Sequence, residues 1–227
     1  MTEIGIAVDP SPAPRPQRVV LPGRVVTLRP FDAPSQAEEL YEATHGPARE
    51  HLWRYMGDGP FASCDAYQAA FEKKEKSIDP LYWAIVDNAT GLPVGQVSYL
   101  RIEPAHRSIE VGNIIFIPAL QRSCGATEAM YLMARYAFNA LGYRRYEWKC
   151  NALNQPSCRA ALRLGFTFEG VFRQHMIIKG RNRDTAWFSM LDSEWSSRQA
   201  NFERWLAPSN FDETGRQRLS LSHLNGQ

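Results

Sequence analysis

Ile114 to Gly142 reads IIFIPALQRSCGATEAMYLMARYAFNALG, and it changes character twice. Its start belongs to Ile109–Ile117, β-branched and mostly apolar, which predicts a central strand. Polar and small residues follow at Gln121-Arg122-Ser123-Cys124-Gly125. Then Met130, Met133, Ala134, Ala137, Phe138 and Leu141 recur at helical spacing, so one stripe of a long helix is buried. Gly142 is placed to stop it. A strand, a short loop and a helix start together can bind an anion, because loop N–H groups and the helix dipole converge there. Gln121, Arg122 and Ser123 add donors, and Gly125 permits close backbone approach. An ordinary strand–helix loop closed by a helix cap fits this segment equally well.

Working outward, Val25–Arg29 reads as a first strand stopped by Pro30, and residues 35–44 and 63–77 are helical in composition. Tyr82–Val86 and Leu92–Ile102 flank Asp87-Asn88-Ala89-Thr90-Gly91, which is turn chemistry and predicts a hairpin. Beyond the long helix, Arg145–Cys150 alternates as a strand. Pro156 opens a short helix that Gly165 closes. Phe166–Phe172 and Thr185–Leu191 read as two further strands, and 192–206 as a last helix. The order of elements predicts an α/β or α+β fold, a mixed sheet flanked by helices.

The chain has 227 residues, 44% hydrophobic and 22% charged, which suits one core with a solvated surface. A net charge of +2 argues against a nucleic-acid partner, which needs a concentrated basic face. No run of 18 apolar residues predicts a membrane span. The N-terminus lacks the basic and apolar regions of a signal peptide. Cys64, Cys124, Cys150 and Cys158 show no zinc-ligand spacing, so no metal is expected, and they read as reduced thiols of a cytoplasmic protein. Residues 1–20 are proline-rich and expected to be disordered or extended. Residues 21–206 form the domain. Residues 207–227 are a polar tail, either lying over it or free.

The second informative segment is Asn154-Gln155-Pro156-Ser157, then Ala161, Gly165-Phe166, Glu169-Gly170 and Arg173. Taken singly, Asn154 is a helix cap and Ser157 a first-turn residue. Together they match N-x-x-S-x-x-x-[apolar]-x-x-x-G-F followed by E-G and Arg. This pattern resembles the GNAT superfamily of acyl-CoA-dependent N-acetyltransferases, and most closely its ribosomal-protein N-terminal acetyltransferase branch. Ala126-Thr127-Glu128-Ala129 resembles the continuation of that family's first motif, [QR]-x-x-G-x-[GA], and Glu110-Val111-Gly112 the opening of its fourth strand. The resemblance covers about residues 24–195. Set at Gln121, the first motif carries Cys124 where glycine is usual, and a side chain there is expected to crowd a pyrophosphate unless Gly125 reshapes the loop.

The resemblance implies a mixed, mostly antiparallel central sheet of about seven strands flanked by helices. It implies acetyl-CoA as co-substrate, an amine acceptor and a possible homodimer, with no nucleic acid and no membrane. The cofactor would lie along Ile115, Phe116 and Ile117, on the loop from Gln121 through Arg122, Ser123, Cys124, Gly125 and Ala126 to Thr127, and against Asn154 and Ser157. Glu110 is the implied base, with an ion pair to Arg101, Arg107 or a neighbouring strand as its structural alternative. His175 and His106 are the other base candidates. Ser157 would donate to the thioester sulfur. Three features lie outside this scheme. Arg181-Asn182-Arg183-Asp184 reads as a solvated basic turn. Trp53, Tyr55, Trp83 and Trp148 read mostly as core, some as cleft. Cys124 sits at a helix start, a position that can lower a thiol's pKa, but no partner base is identifiable and a nucleophilic role is not expected.

Overall fold

The computed structural model describes residues 4–226. Eight strands form one sheet: β1 (Leu21–Pro22), β2 (Val26–Pro30), β3 (Leu81–Asp87), β4 (Pro93–Glu103), β5 (Ser108–Phe116), β6 (Arg145–Asn151), β7 (Thr167–Ile178) and β8 (Arg181–Leu191). Their order is β1-β2-β3-β4-β5-β6-β8-β7. Every neighbouring pair is antiparallel except β5 with β6. The expected sheet of about seven strands therefore gains one, the two-residue β1. The last hairpin is also longer than its apolar residues suggest, since β7 runs on from Phe172 through His175 to Ile178 across a register shift.

Helices cover both faces. Along β3, Leu81, Trp83 and Ile85 face one core while Tyr82, Ala84 and Val86 face the other, as side-chain alternation along a strand requires. The second face is closed by α1 (Ala33–Thr44) and α2 (Cys64–Lys76), which bring Leu40, Tyr67 and Phe71 onto Phe31 and Trp53. The first face is closed by α3 (Cys124–Arg135) and α5 (Asp192–Leu206), with Trp195 stacked on Phe138 at 5.0 Å. The predicted stripe from Met130 to Leu141 is buried throughout. The chain widens into a π-helical turn over Tyr136–Ala140 before Gly142 ends it at φ +67°. The short helices α4 (Gln155–Arg163) and α6 (Leu221–Leu224) sit at the C-terminal end of β6.

Both ends of the described chain are held against the domain. The proline-rich lead-in is extended: the Ala13 amide donates to the Pro104 carbonyl at 3.0 Å, and the Trp83 indole donates to the Val19 carbonyl at 2.8 Å. Proline removes ladder hydrogen bonds but suits such a strap. The tail lies over α5. Trp205 donates to Gln217 at 2.8 Å, Leu221 is buried, and the Asn225 amide donates to the Arg163 carbonyl at 3.0 Å. Among the described residues no helix is long and apolar enough to cross a membrane.

One irregularity positions everything that follows. β5 and β6 pair in parallel only from Ser108↔Arg145 to Val111↔Trp148. Beyond that point the register of β5 with β4 slips between Gln96 and Ser98, and Asn113 adopts φ +51°. The Asn113 amide pins this bulge by donating to Ser98 Oγ at 3.0 Å and Tyr82 Oη at 3.2 Å. A bulge bends its strand. Here it carries β5 with β4, away from β6, and opens a wedge in the middle of the sheet.

Candidate active site

The wedge exposes the backbone of β5. The Ile117 amide donates to the Val94 carbonyl on β4 at 3.2 Å. Since N–H groups alternate sides along a strand, the Phe116 amide points into the wedge. The Phe116 carbonyl points the same way and is closed by the Gln121 amide at 2.9 Å. Gln121, an expected phosphate donor, is thus spent on its own loop. Ile115 and Ile117 give the wedge neither amide nor side chain: their amides face β4, the Ile115 side chain is buried among α1 and α2, and Ile117 packs on the other core.

A groove of about 650 Å³ runs from Phe116 between α3 and α4. Gln121, Arg122, Ser123, Ala126 and Thr127 line one wall, and Arg159 and Arg163 the other. Ser123 caps α3: its hydroxyl accepts from the Ala126 amide at 3.1 Å and donates to the Leu120 carbonyl at 2.7 Å. Among the described residues the Cys124 and Gly125 amides find no acceptor at the helix start, where partial positive charge collects. Arg163 is held by Thr127 at 3.1 Å and lies over the Trp205 ring. Burial pulls its guanidinium below its ordinary pKa. Among the described residues the groove is lined by three arginines and no carboxylate, a lining chemically suited to an anion.

Two expectations for this loop are corrected. Cys124 does not crowd the groove. Its side chain lies in the neighbouring depression with Arg24, whose guanidinium is 3.6 Å from the sulfur. Burial raises the Cys124 pKa despite Arg24, so it is not the activated thiol that its position suggested. Gly125 serves packing rather than ligand approach, since a Cβ there would sit 2.8 Å from Val26 Cγ1. Glu128, used above only to set the register of the motif, proves structural. Its buried carboxylate accepts from the amides of Arg24 (2.9 Å), Val25 (2.6 Å) and Val26 (2.8 Å), joining α3 to the start of β2.

Trp148 stands at the junction between this groove and a second cleft of about 380 Å³. Its indole donates to Ser157 Oγ at 3.0 Å, leaving the serine proton free to be donated elsewhere. Asn154 caps α4, its Oδ1 accepting from the Ser157 amide at 3.3 Å. Its Nδ2 donates to nothing among the described residues. Cap and site coincide at these two residues.

Glu110 lies on the floor of the second cleft and is buried. Its Oε2 accepts from Arg101 at 2.6 Å and from Lys149 at 3.0 Å, while Oε1 faces Gly112 with no partner among the described residues. The ion pair therefore exists, with Arg101 rather than Arg107, which reaches Asp9 instead. Burial raises the Glu110 pKa above the usual carboxylate value, against the pull of Lys149 and Arg101. Lys149 also bonds Glu147 at 2.6 Å and lies 3.8 Å from the Trp187 ring centroid. Sequence reasoning did not single out Lys149. A lysine in a strand whose neighbours are apolar was the available signal.

The other candidates separate. His106 sits in the 3-10 turn joining β4 to β5, outside the cleft. His175 does not line the cleft, although it shares that face of the hairpin: it bonds Thr185 Oγ1 at 3.0 Å, the oxygen that also receives Arg183, and burial with nearby Arg101, Arg183 and Lys149 lowers its pKa. Trp53 and Trp83 are core, whereas Tyr55 and Trp148 line the cleft.

Comparisons with known sequences and structures identify the family of the domain. The family model of the acetyltransferase (GNAT) domain matches residues 26–167. The N-acetyltransferase YoaA of Bacillus subtilis (strain 168), named as uncharacterized, is 33% identical over 109 residues, which are 48% of this chain and 61% of YoaA. This chain thus spans about three fifths of that relative. YdaF of the same organism, whose name assigns it provisionally to the ribosomal N-acetyltransferases, is 23% identical over 75% of this chain and 93% of its own. A GCN5-related N-acetyltransferase from Brucella melitensis superposes with a TM-score of 0.93 at 44% identity, covering 96% of this chain and 98% of its own. The wedge in the sheet, the cationic groove beside it and the motif that lines both belong to a GNAT acetyltransferase domain, and this chain is a member of that family.

Proposed function

We propose that the protein transfers an acetyl group from acetyl-CoA to a primary amine by direct attack in a ternary complex. The observation that carries this reading is the meeting of two unlike clefts at Trp148, with Asn154 and Ser157 beside it on the second. One is cationic and open to a polyphosphate, and the other has a buried carboxylate on its floor. The groove residues fit the cofactor: Arg122, Arg159, Arg163 and the open amides of α3 would hold its phosphates, and the β5 backbone would hold its arm. When bound, it supplies an activated acyl group on a good leaving thiolate.

The chain's residues then divide the work. The Phe116 amide, fixed in the wedge, is a preorganised donor for charge that develops on the acyl oxygen. Glu110 takes a proton from the amine through Oε1, directly or by one water. Its raised pKa suits that task better than an ordinary carboxylate's. The amine nitrogen bonds to the acyl carbon, the carbon–sulfur bond breaks, and the departing sulfur receives a hydrogen bond from Ser157. An α-amine, with pKa near ~8, needs less help than a lysine near ~10.4. The altered loop residue leaves a non-catalytic acyl-CoA-binding or interaction module on the same fold as the alternative at the sequence level, but the Cys124 side chain lies outside the groove.

Calorimetric titration of acetyl-CoA and CoA, followed by thiol release with an amine panel, tests the proposal. Micromolar binding and amine-dependent release are expected. Absence of binding up to millimolar overturns it.

A further inference from the structure

The fixed charges of the second cleft are matched, with one exception. Asp58 pairs with Lys74 at 2.8 Å. Glu110 takes Arg101 and Lys149, and Lys149 is shared with Glu147. Arg183, from the run first read as a solvated turn, is left over. It enters from β8, opposite Met176 on β7, and lines the cleft half-buried. Its Nε donates to Thr185 Oγ1 at 3.2 Å, which fixes the guanidinium plane. Its two terminal nitrogens donate to nothing and pair with no carboxylate among the described residues. A half-buried guanidinium whose fork is held in place but unfilled is arranged for a planar anion.

The cleft is also spanned. The Tyr55 hydroxyl donates to the Leu153 carbonyl at 3.2 Å, and Lys179 Nζ at the hairpin tip donates to the Trp53 carbonyl at 3.0 Å. These two bridges tie the segment between α1 and α2 to both walls. A space of about 380 Å³ under such bridges suits a small molecule better than a folded protein's terminus.

We infer that the acceptor is a small amine carrying a carboxylate a few bonds from its nitrogen, an amino acid in chemical class, and that Arg183 receives that carboxylate while Glu110 receives the amine. This inference rests on the acetyltransferase reading above and narrows its substrate. The bond changes are those already given, and the carboxylate takes no part in them.

The test compares thiol release from acetyl-CoA with each proteinogenic amino acid, its primary amide, spermidine, and tetrapeptides beginning with Ala or Ser. At least one amino acid should exceed its amide by about tenfold or more in kcat/KM. Arg183→Gln should raise KM for that acid about tenfold while leaving its amide unchanged, and Arg183→Lys should retain part of the preference. Spermidine, amides or peptides served as well as the acids, or an Arg183→Gln effect equal on acid and amide, overturns the inference while leaving the acetyltransferase intact. If none of the amines supports release, the acetyltransferase reading is overturned instead. The carboxylate site is then read by calorimetry with N-acetyl amino acids and their amides in the presence of CoA. Binding of the acids that is lost in Arg183→Gln sustains the site, and equal binding of acids and amides refutes it. Circular dichroism melting of both variants separates misfolding from lost recognition.

Discussion

The two clefts that meet at Trp148 are built on different plans. The groove between α3 and α4 is walled by two helix starts and the loop before one of them, and its cations Arg122, Arg159 and Arg163 have no carboxylate opposite. The cleft over Glu110 draws on six stretches of chain, from Tyr55–Asp58 to Met176–Arg183, and nearly every charge in it is paired. A site for a large polyanion can be made of unspent positive charge and backbone amides, because the ligand brings the compensation. A site that moves a proton needs its carboxylate buried, so that its pKa rises, and anchored, so that it stays in place.

That contrast gives its own tests, and the largest concerns the anchored carboxylate. Glu110→Gln should lower kcat about 100-fold or more while leaving acetyl-CoA affinity within a few-fold, as read by steady-state kinetics and calorimetry. The sign with pH follows from the raised pKa. The deprotonated form is the base, so wild-type activity falls as pH drops through a value above the usual carboxylate range, and Glu110→Gln should lose that acidic limb.

The next largest effect falls on neither cleft but on the link behind one of them. Glu128→Ala removes the acceptor of three backbone amides and should destabilise the fold by about 3 kcal/mol in denaturant unfolding. A change under about 1 kcal/mol would mean that water reaches those amides. On the groove side, Arg159→Gln should weaken acetyl-CoA binding about tenfold, with a shallower salt dependence and an unchanged acceptor KM. An acceptor KM that moved as well would erase the division between the clefts. The smallest effect is the sharpest check on the groove's wall: Cys124→Gly should alter acetyl-CoA affinity by no more than about twofold, because its side chain lies with Arg24 outside the groove.

The same contrast explains what was legible in the sequence. The groove is nearly contiguous: the stretch from Ile114 to Thr127 and the run from Asn154 to Gly165 contain most of it, so a motif could spell it. Even there, roles were hidden. Asn154 read as a cap and is one, and Ser123, read as a donor, is a cap too, yet both stand where the ligand would lie. Arg159 and Arg163 repeat at i, i+4 on α4 and so share a face, a signal that went unused. Glu110 was named through resemblance, whereas the pairing that tunes it came from Arg101 and Lys149 on two other strands. Arg183 was missed because β7 was expected to stop at Phe172. Once β7 extends to Ile178, the supposed turn becomes strand, and alternation turns Arg183 inward. Long-range register is where sequence patterns of period two or 3.6 stop informing.

The wedge opened by Asn113 has a further consequence. On the side of β5 turned from β4, the amides beyond Val111, that of Phe116 among them, lack the strand neighbour that closes the rest of the sheet, so water must serve them whenever the groove is vacant. Loading the groove would shield those amides and stiffen a fault line that runs through the centre of the domain. Hydrogen exchange in this short segment would then act as a fuel gauge, reporting how full the protein is without any turnover being measured.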